Sequence, residues 1–361
     1  MTADMCILSE HHSMSADETY PGMSQDHQQQ ISGIPAGRGS ERPLVSIVTP
    51  NFNYGRFLGE TIQSVLGQKY PRIEHIVVDG GSTDDSLDVV RRFGSGVRLI
   101  AAPGTGQTES INIGLRAATG EIVGYLNSDD LFFDSDSVQT AVDVLLGDAS
   151  AWMVYGDLYE IDDESRYLDS ISTTETEFLL ADSFLQLVNP VCQPGSLMRR
   201  RALDVVGYFN ETRRYAMDWD YWLRLAAVGR IVHIPRSLSR MRVHSSSKTV
   251  RALMSKVDDM LELYDDAFSA AWLPDSCREH EMEVRCLVAG YCIIQCFAAR
   301  RFARAGTLTR VALRWAVRSR ARDLAKLVRE SLRHPRGRAL RRHLGWLPLS
   351  APASPSRGRG R

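Results

Sequence analysis

The ten residues Glu121–Asp130, EIVGYLNSDD, pass from an apolar run into an amide, a hydroxyl and two adjacent carboxylates. The apolar part reads as a buried strand and the polar part as the loop that leaves it. Neighbouring carboxylates repel one another, so a compensating positive group is expected beside Asp129 and Asp130. The same succession recurs upstream: LVSIVT (44–49) leads into TPNFNYG (49–55), EHIVVD (74–79) into GGSTDD, and VRLIAA (97–102) into PGTGQ (103–107).

Between these runs lie segments with helical spacing of apolar residues. GRFLGETIQSVLGQ (55–68) carries Phe57, Leu58, Ile62, Val65 and Leu66; DSLDVVRRF (85–93) has Ser82, Thr83 or Asp84 as cap candidates; GQTESINIGLRAA (106–118) follows. Strands and helices alternating at short intervals predict βαβ units and a mostly parallel sheet, and continuous apolar strands predict cover on both faces. Beyond Asp130, SVQTAVDVLLG (137–147) predicts a helix and WMVYGDLYEI (152–161) a strand. TTETEFLLADSFLQLV (173–188) predicts a partly helical segment, MDWDYWLRLAAVG (217–229) an amphipathic helix stopped by glycine, and RIVHIP (230–235) a short strand. From Arg251 to Arg333 nearly every residue fits a helical pattern.

With 361 residues, 43% of them hydrophobic, the chain has enough apolar material for one large core or two smaller ones, which excludes a disordered or fibrous protein. The net charge of −1 hides an asymmetry: residues 1–250 hold 21 basic and 33 acidic side chains, residues 251–361 hold 22 and 11. Two functional halves are expected. The start shows neither the basic nor the apolar region of a secretory signal, which predicts a cytoplasmic protein. Six cysteines (Cys6, Cys192, Cys277, Cys286, Cys292 and Cys296) form no C-x-x-C pair and are expected as reduced thiols. CLVAGYCIIQCFAA (286–299) is too short to span a bilayer and reads as a buried core helix or an interfacial membrane contact.

Ligands of an open parallel sheet gather at the carboxyl ends of its strands, so the four polar loops are expected to form one pocket. Singly, each loop reads as well as a turn or a helix cap; their recurrence at successive strand ends is the signal. In order, VSIVTPNFNYGRFLGETIQSVLGQ, IEHIVVDGGSTDDS, GQTESINIGLRAATGEIVGYLNSDD and MDWDYWLRL resemble the family-two glycosyltransferases of the GT-A fold, and more narrowly the bacterial enzymes of cell-surface polysaccharide biosynthesis. The resemblance covers Pro43 to Lys248. It implies a Rossmann-like, mostly parallel sheet flanked by helices, here with a helical C-terminal extension.

The resemblance also implies roles. Pro50 and Asn51 end the first strand beside the nucleotide base, Asp79 hydrogen-bonds the base, and Gln107 and Asn112 line the nucleotide-sugar pocket. Asp129 matches the metal-reaching aspartate of the D-x-D motif, with Asp130 on sugar hydroxyls or supporting the metal, a Mg²⁺ or Mn²⁺ ion. The first aspartate of that motif is here Asn127, uncharged but able to bond a ribose. Gln193, Gly195 and Ser196 of NPVCQPGSLMRR (189–200) line the acceptor side, and His244 of RMRVHSSSKT (240–249) is a phosphate contact, a metal ligand or a structural histidine. Asp218 stands at the position of the general base, with Met217 where many relatives have Glu and Asp220 as competitor. Trp219 and Trp222 offer a sugar-stacking face or a core contact.

Residues 300–361 contain 18 Arg or Lys against Asp323 and Glu330. Interspersed Leu313, Val317, Leu324, Leu327 and Val328 allow an amphipathic helix with a basic face. Such a helix suits an anionic membrane presenting a polyprenyl-linked acceptor, which predicts peripheral attachment at the inner face of the cell membrane. Few aromatics, chiefly Trp315 and Trp346, disfavour nucleic acid, and a solvated helical face is the third reading. The expected organisation is an arm at 1–42, a GT-A domain at 43–250, a helical basic region at 251–345 and a tail at 346–361. The expected function is inverting transfer of a sugar from a nucleotide-diphosphate donor to a saccharide or lipid-linked acceptor. The alternatives are a catalytically silent nucleotide-sugar-binding or membrane scaffold, suggested by Asn127 and Met217, and a nucleotidyltransferase, which TPNFNYGR fits poorly.

Overall fold

The computed structural model describes residues 42–172, 177–187, 189–244, 253–298 and 300–318. The expected arm, the residues from 319 onward and Trp346 lie outside them, as do the side chains of Trp315 and Val317.

β1 (Val45–Asn51) is buried along its whole length, and α1 (Gly55–Leu66), β2 (Ile73–Asp79), α2 (Ser86–Arg91), β3 (Arg98–Ala101), α3 (Gln107–Ala117) and β4 (Ile122–Tyr125) follow in the predicted alternation. β5 (Leu131–Phe132), α4 (Ser137–Gly147), β6 (Ala151–Ile161), β7 (Tyr167–Ile171), α5 (Leu180–Gln186), β8 (Leu197–Arg199), α6 (Arg201–Val206), α7 (Met217–Ala226) and β9 (Arg230–Arg242) complete the sheet region. The strands form one sheet in the order β3-β2-β1-β4-β8-β6-β9-β5, with β7 on β6. β1 to β4 are parallel, and β8 enters antiparallel between β4 and β6.

Register carries the polar residues to one edge. Asn51 pairs with Asp79, and Asp79 with Ala101, so the first three strands end side by side. Val45, Ile47, Leu126, Phe132, Val138, Val142 and Leu197 share one buried cluster between sheet and α4; Leu58, Ile62, Val77 and Val89 fill another under α1 and α2.

Two strands differ from expectation. β3 is an edge strand, flanked among the described residues by β2 alone, and its residues are mostly exposed; the expectation that both faces of every strand are covered fails there. The strand expected at 230–235 runs to Arg242. Gly156 faces Ile234 while Asp157 faces Ser237, so Pro235 and Arg236 bulge out and pairing resumes beyond them.

The C-terminal segment forms α8 (Leu253–Ser269), α9 (Asp275–Arg278), α10 (Glu281–Ala298) and α11 (Phe302–Arg318). Cys277, Cys286, Cys292 and Cys296 are buried free thiols, and burial pushes the Cys292 thiol up to about 12. α10 buries Val284, Val288, Ala289 and Cys292 but leaves Ile294 and Phe297 exposed. Among the described residues no helix is long and apolar enough to cross a membrane.

His75 on β2 is fully buried against the Thr49 hydroxyl, 3.0 Å from its Nε2, and burial lowers its pKa from 6.5 to about 3. The unfolded chain therefore binds a proton that the folded chain refuses between those values. Stability is complete above pH 6.5 and falls as pH drops toward 3, by about 1.4 kcal/mol per pH unit from this residue. Urea unfolding of wild type and His75→Gln at pH 7.5 and 5.5 should show a shallower pH dependence in the variant.

Candidate active site

The first two loops interlock through Asp79. Asn51 Nδ2 donates to Asp79 Oδ1 at 2.8 Å, the Ser82 hydroxyl donates to the same oxygen at 2.6 Å, and the amides of Gly81 and Ser82 donate to Oδ2 at 3.1 and 2.9 Å. Burial raises the Asp79 carboxyl, but these bonds from Ser82, Asn51 and Gly81 outweigh it and hold the group below its ordinary value. A carboxylate offers about four acceptor sites, so its capacity goes into ordering its own loop. The Gly55 amide donates to Asp84 Oδ2 at 2.9 Å, and a Cβ at Gly55 would stand 2.8 Å from the Ser86 backbone nitrogen. Only glycine lets the two loops meet. Pro50 is buried in β1, while Phe52 is 56% exposed with its ring against Gly80. The sequence reading passed over Phe52, although an aromatic at a strand exit was a readable signal.

At the end of β4 an amide relay sets Asn127. Gln107 Nε2 donates to Asn127 Oδ1 at 2.7 Å; Asn127 Nδ2 donates to Asp130 Oδ2 at 3.0 Å and to Gln193 Oε1 at 3.3 Å; Gln193 Nε2 donates to the Tyr125 carbonyl at 2.9 Å. Asp130 is buried, and burial followed by the Asp129 charge pushes its carboxyl well above the carboxylate range. Hydrogen bonds from Asn127 Nδ2 and the Arg242 amide offset part of that rise.

The positive group expected beside this pair, Arg242, comes from the end of β9. Just beyond it His244 Nε2 lies 3.0 Å from Asp129 Oδ2, and its ring packs against Tyr54 and Phe57. Arg242, missed in the sequence, donates through Nε to the Asp129 carbonyl at 3.1 Å. Its buried guanidinium also pairs with Glu60 at 2.9 Å, donates to the Asp162 carbonyl and the Ser165 hydroxyl, and lies over the Phe57 ring. Among the described residues no three His, Cys, Asp or Glu side chains group as a metal cluster.

The start of α7 is tied to the same helix end as the Asn127 loop. Thr108, next to Gln107, shares its one hydroxyl proton between the Arg213 carbonyl at 3.1 Å and Met217 Sδ at 2.8 Å. Neighbouring residues of α3 thus bind both the Asn127 loop and the first turn of α7. Asp218 sits half-buried in that turn, its Oδ1 accepting the Trp219 amide at 2.8 Å. Asp220 is committed elsewhere: it pairs with Arg224 at 2.8 Å, and Arg224 holds the carbonyls of Val206 and Tyr208. The buried Tyr125 phenol is pushed well up by burial, then by the charges of Asp218 and Asp130, so both carboxylates act on one group.

Other expected residues support this pocket from behind. Asn112 exchanges hydrogen bonds with the Phe209 backbone and donates to Glu211 Oε1 at 2.8 Å, so its amide holds the loop ahead of α7 and does not join Asn127. The Ser196 hydroxyl donates to the Gln193 carbonyl at 2.7 Å, and Gly195, at φ +77°, makes the turn between them. Gln193 reaches the relay; Gly195 and Ser196 shape its support. Trp222 is core, packed against Phe209 and Tyr221, and Trp219 packs on Tyr264 of α8.

The sequence model described as "Glycosyl transferase family 2" matches residues 46–207. An uncharacterized glycosyltransferase of Nostoc sp. is 30% identical over 224 residues, covering 58% of this chain and 67% of that protein. A chondroitin synthase of Escherichia coli is 27% identical, over 63% of this chain and 33% of the synthase. A mannosyltransferase of Pyrobaculum calidifontis, solved with GDP-Man and Mn²⁺, superposes with a TM-score of 0.55 at 18% identity, covering 89% of this chain and 90% of that one. With motif loops, sheet order and relatives in agreement, the chain belongs to glycosyltransferase family 2 and carries the GT-A fold.

Proposed function

We propose that the protein transfers a sugar, with inversion, from a nucleoside-diphosphate donor to a saccharide or lipid-linked acceptor in the building of a surface polysaccharide. The observation that carries this reading is the bridge made by Gln107 and Thr108, which fixes the Asn127–Asp130 loop and the first turn of α7 to one helix end. In this reading the donor lies over the ends of β1, β2 and β4, with its base beside Phe52, Asn51 and the Asp79 loop. Asp218 takes the proton of the acceptor hydroxyl as the new glycosidic bond forms at the anomeric carbon. The bond from that carbon to the diphosphate breaks, and the nucleotide leaves with the electron pair.

Asp129 and His244 fit a Mg²⁺ or Mn²⁺ ion: one carboxylate oxygen and one imidazole nitrogen lie 3.0 Å apart. Such ions take one or two protein carboxylates and complete their shell with phosphate oxygens. When bound, the ion would stabilise the charge that grows on the leaving diphosphate. Because Asn127 is neutral and occupied by its amide relay, the ion is expected to bind together with the donor rather than ahead of it.

Calorimetric titration with a panel of nucleoside diphosphates, with and without Mn²⁺, tests the pocket. One nucleotide should bind in a Mn²⁺-dependent way, and Asp129→Ala should abolish that dependence. Asp218→Asn should keep nucleotide binding and lower release of nucleotide from the matching sugar donor by about 100-fold or more. Binding without turnover in wild type would favour the silent scaffold, and retained anomeric configuration would refute a single displacement.

The acceptor side of the proposal includes an anionic membrane. Phe297 and Phe302, 54% and 62% exposed, face each other at the corner between α10 and α11, and Leu313 is exposed three turns along α11. Arg300, Arg301, Arg304 and Arg310 are exposed around them, and α11 contains no acidic residue. Aromatic rings flanked by arginines suit the headgroup layer, each arginine contributing about 1 kcal/mol on an anionic surface. The full chain should cosediment with phosphatidylglycerol-containing vesicles more than with pure phosphatidylcholine, and the Phe297→Ser, Phe302→Ser double variant should lose most of that binding.

A further inference from the structure

α7 begins without a cap of its own. Its N-cap position is Ala216, which has no side-chain acceptor, and no Ser, Thr, Asp or Asn stands among Arg213–Met217. What is held instead is the loop that leads into it, and the holding group comes from α8. Asp259, buried, turns Oδ2 toward three successive amides: Arg214 at 2.7 Å, Tyr215, and Ala216 at 3.2 Å. Arg213, only 1% exposed, reaches the same face of α8 and pairs with Glu262 and Asp266. Asp259, Glu262 and Asp266 follow at i, i+3 and i+7, so one helical face carries all three acids.

That face also approaches Asp218. Lys256 lies one turn before Asp259; burial lowers its pKa, and the negative charge of Asp218 offsets part of that fall. Trp219, the residue after Asp218, packs edge-on to Tyr264 of α8 at 6.0 Å. Asp218 is two residues beyond the last amide that Asp259 holds. Three bonds to one carboxylate fix the backbone from which the first turn of α7 starts, and a general base must stay within about 2.6–3.2 Å of the proton it takes.

We propose that Asp259 is a positioning residue for the transfer step, holding the entry to α7 from a separate helix and so fixing the direction of Asp218; this rests on Asp218 being the base. The C-terminal helices then complete the catalytic apparatus rather than hang beside it. The motif-bearing region holds the donor, and α8 aligns the group that activates the acceptor.

The test uses the full chain and four proteins: wild type, Asp259→Ala, Asp259→Asn, and Asp265→Asn as a control on α8, where Asp265 pairs with Arg285 away from the α7 loop. Amide exchange by mass spectrometry reads the peptides spanning Arg214 to Tyr221. UDP and GDP with Mn²⁺ read nucleotide binding, and UDP-glucose, UDP-GlcNAc and GDP-mannose read nucleotide release. Asp259→Ala should speed exchange in those peptides and lower kcat by about tenfold or more, with nucleotide affinity within about twofold of wild type. Asp259→Asn, which keeps an oxygen acceptor, should recover most of both losses, and Asp265→Asn should change neither. Unchanged exchange in Asp259→Ala, or equal losses of nucleotide binding and turnover in Asp259→Ala and Asp265→Asn, would overturn the proposal. If wild type binds and consumes no nucleotide sugar, the reading of the function fails, while the exchange data still decide whether Asp259 holds the entry to α7.

Discussion

The burial of Asp130 behind Asp129 is the constraint around which the pocket is arranged. A second carboxylate taken out of water beside the first raises its own proton affinity, and the chain counters this from several directions. Arg242 arrives from the end of β9, Asn127 from within the loop, and the Thr61 hydroxyl of α1 fixes the Asp130 carbonyl at 2.9 Å. Each contact makes a different element answerable to the same two charges. The length of β9 follows from this: its strand continues past the bulge at Pro235 and delivers Arg242 and His244 to the carboxylates.

The parallel half of the sheet was legible because local pattern and tertiary role agree there. Buried parallel strands are continuous apolar runs, and the loops at their carboxyl ends are polar because they leave the core for the surface. β5, β7 and β8 were not legible. β5 has two residues and β8 three, too short for any period, and β7 is exposed along most of its length. Their existence is decided by neighbours that lie far away in sequence.

The site divided along similar lines. Residues in motif loops were identifiable, yet their individual duties depend on geometry that spacing does not encode. Asp79 is saturated by its own loop, Asn112 braces Phe209, and Asp220 is tied to Arg224. Arg242 and Asp259 were invisible for a different reason. One lies in a strand among other arginines and the other on a helix rich in acids, so neither stands out until the partner it meets, 113 or 43 residues away, is brought to it. The acids at Asp259, Glu262 and Asp266 were the one readable trace, since a single helical face that gathers like charges calls for a cation such as Arg213.

The pair between Arg304 and Asp258 bears on how the molecule could be recombined. It joins the first turn of α11 to the residue just before Asp259, so the helix corner with its exposed rings and the amides ahead of α7 are fastened to neighbouring positions of α8. A chimera made by grafting the C-terminal helices of one relative onto the sheet of another would therefore inherit a mismatched joint unless residues 213–216 travelled with the graft. The unit of exchange between relatives is then the seam formed by that loop and α8, and substrate preference on the two sides of the seam can diversify separately only while the seam itself is kept.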